Sequence, residues 1–365
     1  MGAALALGGV VDVAIKYLGS KRVLVPVLGE LLSASGARTA LDLFTGTTRV
    51  AQEFCRRGAF VYAVDIASYS EVLAQCYVEA DSTQVDVVEI EEAIESLNAL
   101  PDVRGYVTKT FCEDARYFHP KNGQRIDAIR QGIDDLYADS YLRPILLTSL
   151  MEAADAVDST VGLQMAYLKE WAPRALKDLE LRVPVLTPGT GRAIRGDALE
   201  LVGDLPPVDL AYLDPPYNQH RYFTNYHIWE TLIRWDHPEH YGIACKRLDA
   251  RDEETKSVFN KKRQMPTAFA RTIAAVKAQT LVISFSNEGY VSIEELVEMC
   301  KARGDTVEVL AFDHKRYVGA IIGIYDPAGE KVGKISHTKN TEYIVLSGKA
   351  EHVAHMAAAV AHHTK

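Results

Sequence analysis

Residues 37–66 constrain the fold more than any other stretch of the chain. A strand, "TALDLF", is followed by a turn, "TGTT", a helix, "RVAQEFCRRG", and a second strand, "FVYAVDI". As a helix the third segment puts Val50, Ala51, Phe54 and Cys55 on one stripe, with Thr47 or Thr48 as cap and Gly58 as stop. Two apolar strands joined through an amphipathic helix form the crossover unit of a parallel sheet. Further strands are expected at "VDLAYLD" (208–214), "TLVISFS" (280–286), "TVEVLAF" (306–312) and "TEYIVLSG" (341–348). Helices "HIWETLIRW" (227–235) and "SIEELVEMCKARG" (292–304) fit between them. Residues 1–77 and 194–350 are therefore read as one α/β sheet domain. Residues 78–193 carry long helical patterns, "VVEIEEAIESLNAL" and "DSTVGLQMAYLKEWAPRALKDL", and few strand signals, so they are read as a helical insertion. Residues 351–365 form an Ala/His-rich tail with the pattern of a frayed helix.

A chain of 365 residues can bury a substantial core, as one large domain with an insertion or as two domains. It has no run of about eighteen apolar residues, which argues against a membrane span. The opening "MGAALALGGVVDVAI" lacks a basic flank and an evident cleavage site, so a cytoplasmic protein is expected. The five cysteines are scattered, with no pair at metal-ligand spacing, and are read as reduced core residues. His352, His355, His362 and His363 lie in the tail, and no metal site is expected. The net charge of −9 does not suggest a wholesale polyanion binder, so any surface for nucleic acid must be local.

The turn after the first strand has Gly46 but not the three glycines of a dinucleotide fingerprint, which leaves a pyrophosphate cradle poorly supported. Asp65 ends the next strand nineteen positions after Gly46, where an acid can take both hydroxyls of a ribose. A nucleoside without phosphates fits that combination, Gly46 allowing close backbone approach and Asp42 meeting a cationic ammonium; an ordinary crossover turn fits the same residues. Asp197, in "GDALEL", is either a helix cap or an acceptor for the exocyclic amine of an adenine. Upstream, "IKYLGSK" crowds Lys16, Tyr17 and Lys21 into a polar turn.

The stretch "LAYLDPPYNQHRYF" (210–223) ends an apolar strand on an acid, two prolines and an aromatic ring, Asp214, Pro215, Pro216 and Tyr217. An aromatic amine such as N6 of adenine is a poor nucleophile because its lone pair is delocalised into the ring. Two acceptors, the Asp214 carboxylate and the Pro215 carbonyl, can hold its hydrogens and draw the nitrogen towards tetrahedral geometry. Prolines fix φ and add no competing donor. Tyr217 offers a face for an unstacked base, worth roughly 1–3 kcal/mol in single-strand stacking systems. Beyond the turn, Arg221, Tyr222, Tyr226 and His227 interleave bases and rings. Lys246, Arg247, Lys261, Lys262 and Arg263 form a basic cluster, with "DHKRYVGA" (313–320) as a second basic hairpin. These are read as phosphate-tracking segments, against a solvated loop in which Asp249, Asp252, Glu253 and Glu254 offset the charge.

The ordered set "KYLGSK", "DLFTGTTRV", Asp65, "GDA", "DPPY" and "SFSNEG" resembles the D12-class, Dam-like N6-adenine DNA methyltransferases, and "DPPYNQHRYFTNYHIWETL" is especially similar to the adenine methyltransferases of FokI-type restriction systems. The resemblance covers most of 15–348, patchily. It implies a Rossmann-like sheet that binds S-adenosylmethionine, needs no metal, and methylates N6 of adenine flipped out of a specific double-stranded DNA sequence. It implies Lys16, Tyr17 and Lys21 around the donor's methionine part, Asp42, Phe44 and Gly46 in the donor loop, Asp65 on the ribose and Asp197 by the donor's adenine. Asp214, Pro215, Pro216 and Tyr217 would form the catalytic turn, and Arg221, Tyr222, Lys261, Lys262 and Arg263 would meet DNA. The helical insertion would be the target-recognition lobe, and a cognate restriction endonuclease is a possible partner. One departure is that many relatives have a second glycine where this turn reads "FTGTTRV". Two other readings stay open: an RNA or nucleobase methyltransferase with the same pocket, and a non-catalytic DNA-binding regulator.

Overall fold

The computed structural model describes residues 15–17, 21, 23–217, 219–287, 289–315 and 339–363. The chain divides into two compact units: a sheet unit drawn from 21–85, 186–223 and 249–365, and a helical unit drawn from 1–20, 86–185 and 224–248.

Among the described residues, seven strands form the sheet: β1 (Thr39–Leu43), β2 (Phe60–Asp65), β3 (Gly191–Arg195), β4 (Val208–Leu213), β5 (Ala278–Ser286), β6 (Thr306–Lys315) and β7 (Lys339–Gly348). Their spatial order is β3-β2-β1-β4-β5-β7-β6. The neighbours from β3 to β5 pair in parallel, whereas β7 runs antiparallel to both β5 and β6. The sheet unit also holds α1 (Val25–Ser35), α2 (Arg49–Arg56), α3 (Ser68–Ala74), α8 (Met265–Ala275), α9 (Ile293–Lys301) and α10 (Ala350–Val360).

Successive strand side chains point to opposite faces, so apolar residues at every position need cover on both sides. Ala40, Leu210, Tyr212, Val282, Ile344 and Leu346 pack on one face against Leu28 and Leu31 of α1, Phe54 of α2 and Met356 and Val360 of α10. Leu41, Leu43, Ala211, Leu213, Ile283 and Val345 pack on the other against Phe269 and Ile273 of α8 and Leu296 and Cys300 of α9. This is a doubly wound, Rossmann-like α/β sheet. The order reverses between β1 and β4, and that switch point is where such sheets open a crevice beyond their carboxyl ends.

The helical unit contains α4 (Val87–Asn98), α5 (Pro120–Tyr137), α6 (Arg143–Ala156) and α7 (His227–Arg234). The buried Asp127 of α5 accepts from the backbone amides of Gly105, Val107 and Thr108 and from the Thr108 hydroxyl, at 2.6–2.9 Å. No helix among the described residues is long and apolar enough to cross a membrane.

Several expectations are corrected. Residues 78–85 and 186–193 belong to the sheet unit, tied by Ser82 N to Thr187 O (3.2 Å) and Gly189 N to Asp81 Oδ1 (3.2 Å). "HIWETLIRW" becomes α7 of the helical unit, because the buried Arg130 of α5 donates to the carbonyls of Leu232 (2.5 Å) and Ile233 (3.1 Å). Residues 158–179 form no α-helix: Thr160 Oγ1 bonds Asp158 Oδ2 (2.6 Å) and the Gly162 amide (2.9 Å), and Gly162 turns back with φ 97°. Side chains that bond local backbone in this way compete with helix formation. The Ala/His tail is a packed helix, α10, with Val353, Met356 and Val360 buried. At the start of α2 neither Thr47 nor Thr48 provides a side-chain cap; that role falls to Asp42, whose Oδ2 accepts from the Ala51 amide at 3.1 Å.

Candidate active site

The sheet unit's crevice is built from the ends of β1, β2, β4, β5 and the start of β7. β1 ends in the loop Phe44–Thr48, where Phe44 (φ 84°), Gly46 (φ 53°) and Thr48 (φ 61°) all take left-handed conformations. Only Gly46 adopts this region freely, so Phe44 and Thr48 are strained. Hydrogen bonds impose the shape: the Phe44 and Thr45 amides donate to Val64 O at 3.0 and 2.9 Å, and Thr48 N donates to Thr45 O at 2.8 Å. Thr48 stands where a second glycine would relieve the turn, and its Oγ1 accepts from Gln52 Nε2 at 3.0 Å.

Asp65 closes this loop from β2. Its Oδ2 accepts from Gly46 N (2.9 Å) and its Oδ1 from Ala67 N (3.0 Å). Burial raises its carboxyl above the ordinary range, while the amides of Ala67 and Gly46 oppose that. Each oxygen has a second lone pair, so two further donors can be accepted. Next to it, Gly196 N donates to Asp65 O (2.9 Å), and Asp197 caps the short helix Ala198–Leu201 by accepting from Leu199 N at 2.8 Å.

Asp42 is buried on β1. Oδ2 takes the Thr45 hydroxyl (2.8 Å) and the Ala51 amide, whereas Oδ1 has no hydrogen-bond partner. Burial pushes the carboxyl up to about 7, with the Thr45 hydroxyl acting against it. A buried carboxylate oxygen without a donor is costly, and a cation brought to it would relieve that cost.

Asp214 follows β4, whose Leu213 pairs with Leu43 of β1 and Ile283 of β5. The Lys21 ammonium, 8% exposed, lies 3.1 Å from Asp214 Oδ1 and 3.4 Å from Glu342 Oε2. Lys21 is anchored by its own carbonyl, which accepts from Leu24 N and Val25 N at the start of α1. Burial alone would lower the Lys21 pKa, but Asp214, Tyr217, Glu342 and Tyr212 together hold it well above the ordinary lysine range. Burial raises Asp214 to about 6 despite Lys21. Pro215 is buried and Pro216 half-buried. The half-buried Tyr217 ring lies 5.2 Å from the Phe285 ring, is capped by Lys21 Nζ at 5.7 Å, and has its carbonyl held by Tyr290 N at 3.0 Å. Phe44 rests edge-on against Phe259 at 5.0 Å.

The structure thus brings Lys21, Asp42, Phe44, Gly46, Asp65, Asp197, Asp214, Pro215, Pro216 and Tyr217 into the sheet unit. Lys16 and Tyr17 fall in the helical unit. There Lys16 Nζ donates to Asp158 Oδ1 (3.0 Å) and Asp155 O (2.5 Å), and the Tyr17 ring stacks on Tyr226 at 4.6 Å. Arg247, expected in a phosphate-binding cluster, is instead buried and bidentate to Asp236 at 2.7 and 2.7 Å. Lys261 is half-buried beside Glu253 (2.9 Å), while Arg221, Lys262 and Arg263 are exposed and Tyr222 is half-buried. Of "DHKRYVGA", 316–320 lie outside the described residues, as do Gly19, Ser20 and Glu288. All five cysteines are free and buried. In the tail, His362 and His363 lie 3.6 and 3.1 Å from the Glu30 carboxylate on the surface. Sequence reasoning missed Glu342, whose signal is an acid near the start of the apolar strand "TEYIVL", and Phe285, which backs the tyrosine.

Comparison with known proteins agrees with this picture. The family model for the D12 class N6 adenine-specific DNA methyltransferase matches residues 17–299. The modification methylase StsI of Streptococcus sanguinis is 30% identical over 78% of this chain and 46% of its own length. The type II methyltransferase M.FokI of Planomicrobium okeanokoites is 28% identical over 83% and 49%, respectively. M.NlaIII of Neisseria lactamica is 28% identical over 82% of this chain and 92% of its own. The chain therefore spans about half the length of the first two relatives and nearly all of the third.

Proposed function

Because this chain belongs to the D12 class of N6 adenine-specific DNA methyltransferases, we propose that it methylates N6 of adenine within a specific sequence of double-stranded DNA, with S-adenosylmethionine as donor. The observation that carries the reading is Asp214, an acid placed at the carboxyl end of β4 by a diproline, beside a tyrosine ring backed by Phe285.

The residues present fit the donor. The unpartnered Oδ1 of Asp42 suits a primary ammonium, Asp65 keeps acceptor capacity for vicinal hydroxyls, and Asp197, one oxygen of which caps its helix, is adjacent in chain to the Asp65-bound Gly196. Bound there, S-adenosylmethionine supplies a methyl group already activated on a sulfonium. The protein's own work is on the amine. Asp214 and the Pro215 carbonyl accept its two hydrogens and localise the nitrogen lone pair, a contact that strengthens as the nitrogen becomes tetrahedral. Tyr217 holds the unstacked base by its ring face. Positioning and polarisation suffice for an in-line transfer, with no covalent enzyme intermediate.

Lys262 and Arg263, together with Arg221 and Tyr222, supply the local grip on DNA in this reading, and the helical unit supplies sequence choice. In this reading the enzyme is cytoplasmic, and the relatives' names as modification methylases support its pairing with a restriction endonuclease. Incubation with labelled donor and plasmid DNA, total RNA or free adenine tests the proposal. Label in DNA at N6, lost in Asp214→Ala, is expected; label confined to RNA or to the free base overturns it.

A further inference from the structure

We propose that Glu342 is a positioning residue for the reaction, sharing the Lys21 ammonium with Asp214 so that the Asp214 carboxylate stays the more basic and more available acceptor for the amine hydrogens. The proposal rests on the function proposed above and deepens it.

The strand direction puts Glu342 there. Because β7 runs against β5, its first residues arrive where the others end, and Glu342 pairs with Ser286, the last residue of β5. One buried ammonium therefore serves two carboxylates. Its hydrogen bond, at 3.4 Å, goes to Glu342 Oε2. The Asp214 contact is shorter, at 3.1 Å, yet it is not aligned as a hydrogen bond, and Asp214 Oδ1 is buried with no hydrogen-bond partner. Lys21 thus neutralises Asp214 at close range while its aligned hydrogen bond is directed to Glu342.

The charge count gives the consequence. Lys21 with Asp214 alone is a neutral pair, and a lysine free to turn fully onto Asp214 would compete with the substrate amine for the same oxygen. Glu342 makes the group a net anion and draws one of the lysine's donors to itself, so the acceptor beside the base stays basic. The other ionisable groups around the pair are Asp42 from β1 and Tyr212 from β4, which interact with Asp214, and Tyr217 from the turn, which faces Lys21. Tyr212 also interacts with Lys21, but a tyrosine is neutral near pH 7, so neither tyrosine replaces Glu342 as a second anion on the ammonium. In keeping with this, Glu342 acts to raise Asp214, against the lowering by Lys21.

The test uses Glu342→Gln and Glu342→Asp in the full chain. Carbon NMR of aspartate-labelled protein, with Asp214→Asn to assign the signal, reads the Asp214 titration without needing activity. In Glu342→Gln the midpoint is expected to fall by roughly one pH unit, the direction expected on removing a like charge, and in Glu342→Asp to stay near wild type. Under single turnover at saturating donor, Glu342→Gln should slow transfer on the order of tenfold at pH 7.5 and move the acid limb of its pH profile down, with donor Kd unchanged; Glu342→Asp should recover most of the rate. An unmoved Asp214 midpoint in Glu342→Gln overturns the inference, as does a slower rate with no shift of the acid limb. If the glutamine variant does not fold, an Asp214 midpoint in Glu342→Asp displaced as far as in Lys21→Met overturns it instead. Should wild type fail to methylate DNA while the NMR shift appears, the proposed reaction fails and the charge relationship stands.

Discussion

The Asp42 carboxylate accepts the Ala51 amide of α2 at 3.1 Å with one oxygen and leaves the other buried without a donor. One side chain therefore fixes the helix against β1 and keeps a cost in the donor-free protein. Its folded carboxyl is raised to about 7, above its ordinary unfolded value, so its contribution is most favourable below the unfolded pKa and is lost as pH rises towards 7. A rise of that size from 3.8 corresponds to on the order of 4 kcal/mol. Asp155 of the helical unit, likewise raised to about 7 by burial, adds a slope of the same sign, so only the difference between variant and wild type isolates Asp42. Asp42→Asn should melt above wild type at pH 8, with the gap closing towards pH 4, and should lose donor binding by calorimetry. A constant gap across that range would reject the assignment.

At Asp214, binding and chemistry separate. Asp214→Ala should leave donor affinity within a few-fold and abolish transfer, because its contact to the amine matters most in the transition state. Lys21→Met removes the cation shared by the two carboxylates, so the Asp214 titration should move further up and transfer at pH 7 should fall. Part of the rate should return at higher pH, where Asp214 is again ionised. Stopped-flow transfer rates against pH decide this; a Lys21→Met profile with the wild-type acid limb would contradict it.

The Tyr217 ring is set from behind. Phe285 lies 5.2 Å away, and a Cβ built on Gly289 would fall 2.4 Å from the Phe285 ring, so this glycine is required by close approach. Tyr217→Phe should keep most activity and Tyr217→Ala little, since the face does the stacking, worth roughly 1–3 kcal/mol. Gly289→Ala should weaken base engagement while sparing donor affinity. Fluorescence of a 2-aminopurine target reports extrusion, and equal loss in the phenylalanine and alanine variants would exclude the stacking role.

What the sequence made legible was local chemistry with a strong backbone signature. The crossover at 37–66, the apolar strands and the Asp-Pro-Pro-Tyr turn depend on residues close in the chain, and each forms within a few residues of its expected place. Long-range pairings were not legible. Glu342 meets Lys21 because a strand reverses direction, and Arg247 turns from the expected DNA contact into a buried partner of Asp236 eleven residues away. The segment 158–179 shows a helical composition, yet Asp158, Thr160 and Gly162 divert its backbone, and Asp158 is committed to Lys16 and Arg174. Periodicity carries no trace of such side-chain competition. The helices α5 and α6 are hard to read from sequence for a related reason: both are buried broadly enough to blur their polar stripe.

The last prediction concerns where DNA is held and where it is read. Of the three basic residues at 261–263, Lys261 shares Glu253 with Lys256, whereas Lys262 and Arg263 are exposed. A lysine already paired releases few counterions on binding, so the 261–263 cluster should contribute two phosphate contacts, not three. At about 0.9 in log–log slope per contact, Lys262→Ala with Arg263→Ala should flatten the salt dependence of affinity by about 2, and adding Lys261→Ala should change it little further. The loss should be the same for all duplexes, because phosphates carry no sequence information. Polar substitutions in the helical unit should instead change which adenines are methylated, at roughly 1–3 kcal/mol per lost base contact. Filter binding across salt concentrations and methylation-sensitive sequencing of host DNA measure the two effects separately. A double variant with the wild-type salt slope would remove 261–263 from the interface, and a helical unit exchanged for that of a relative with no change in methylated sequence would remove the reading function from that unit.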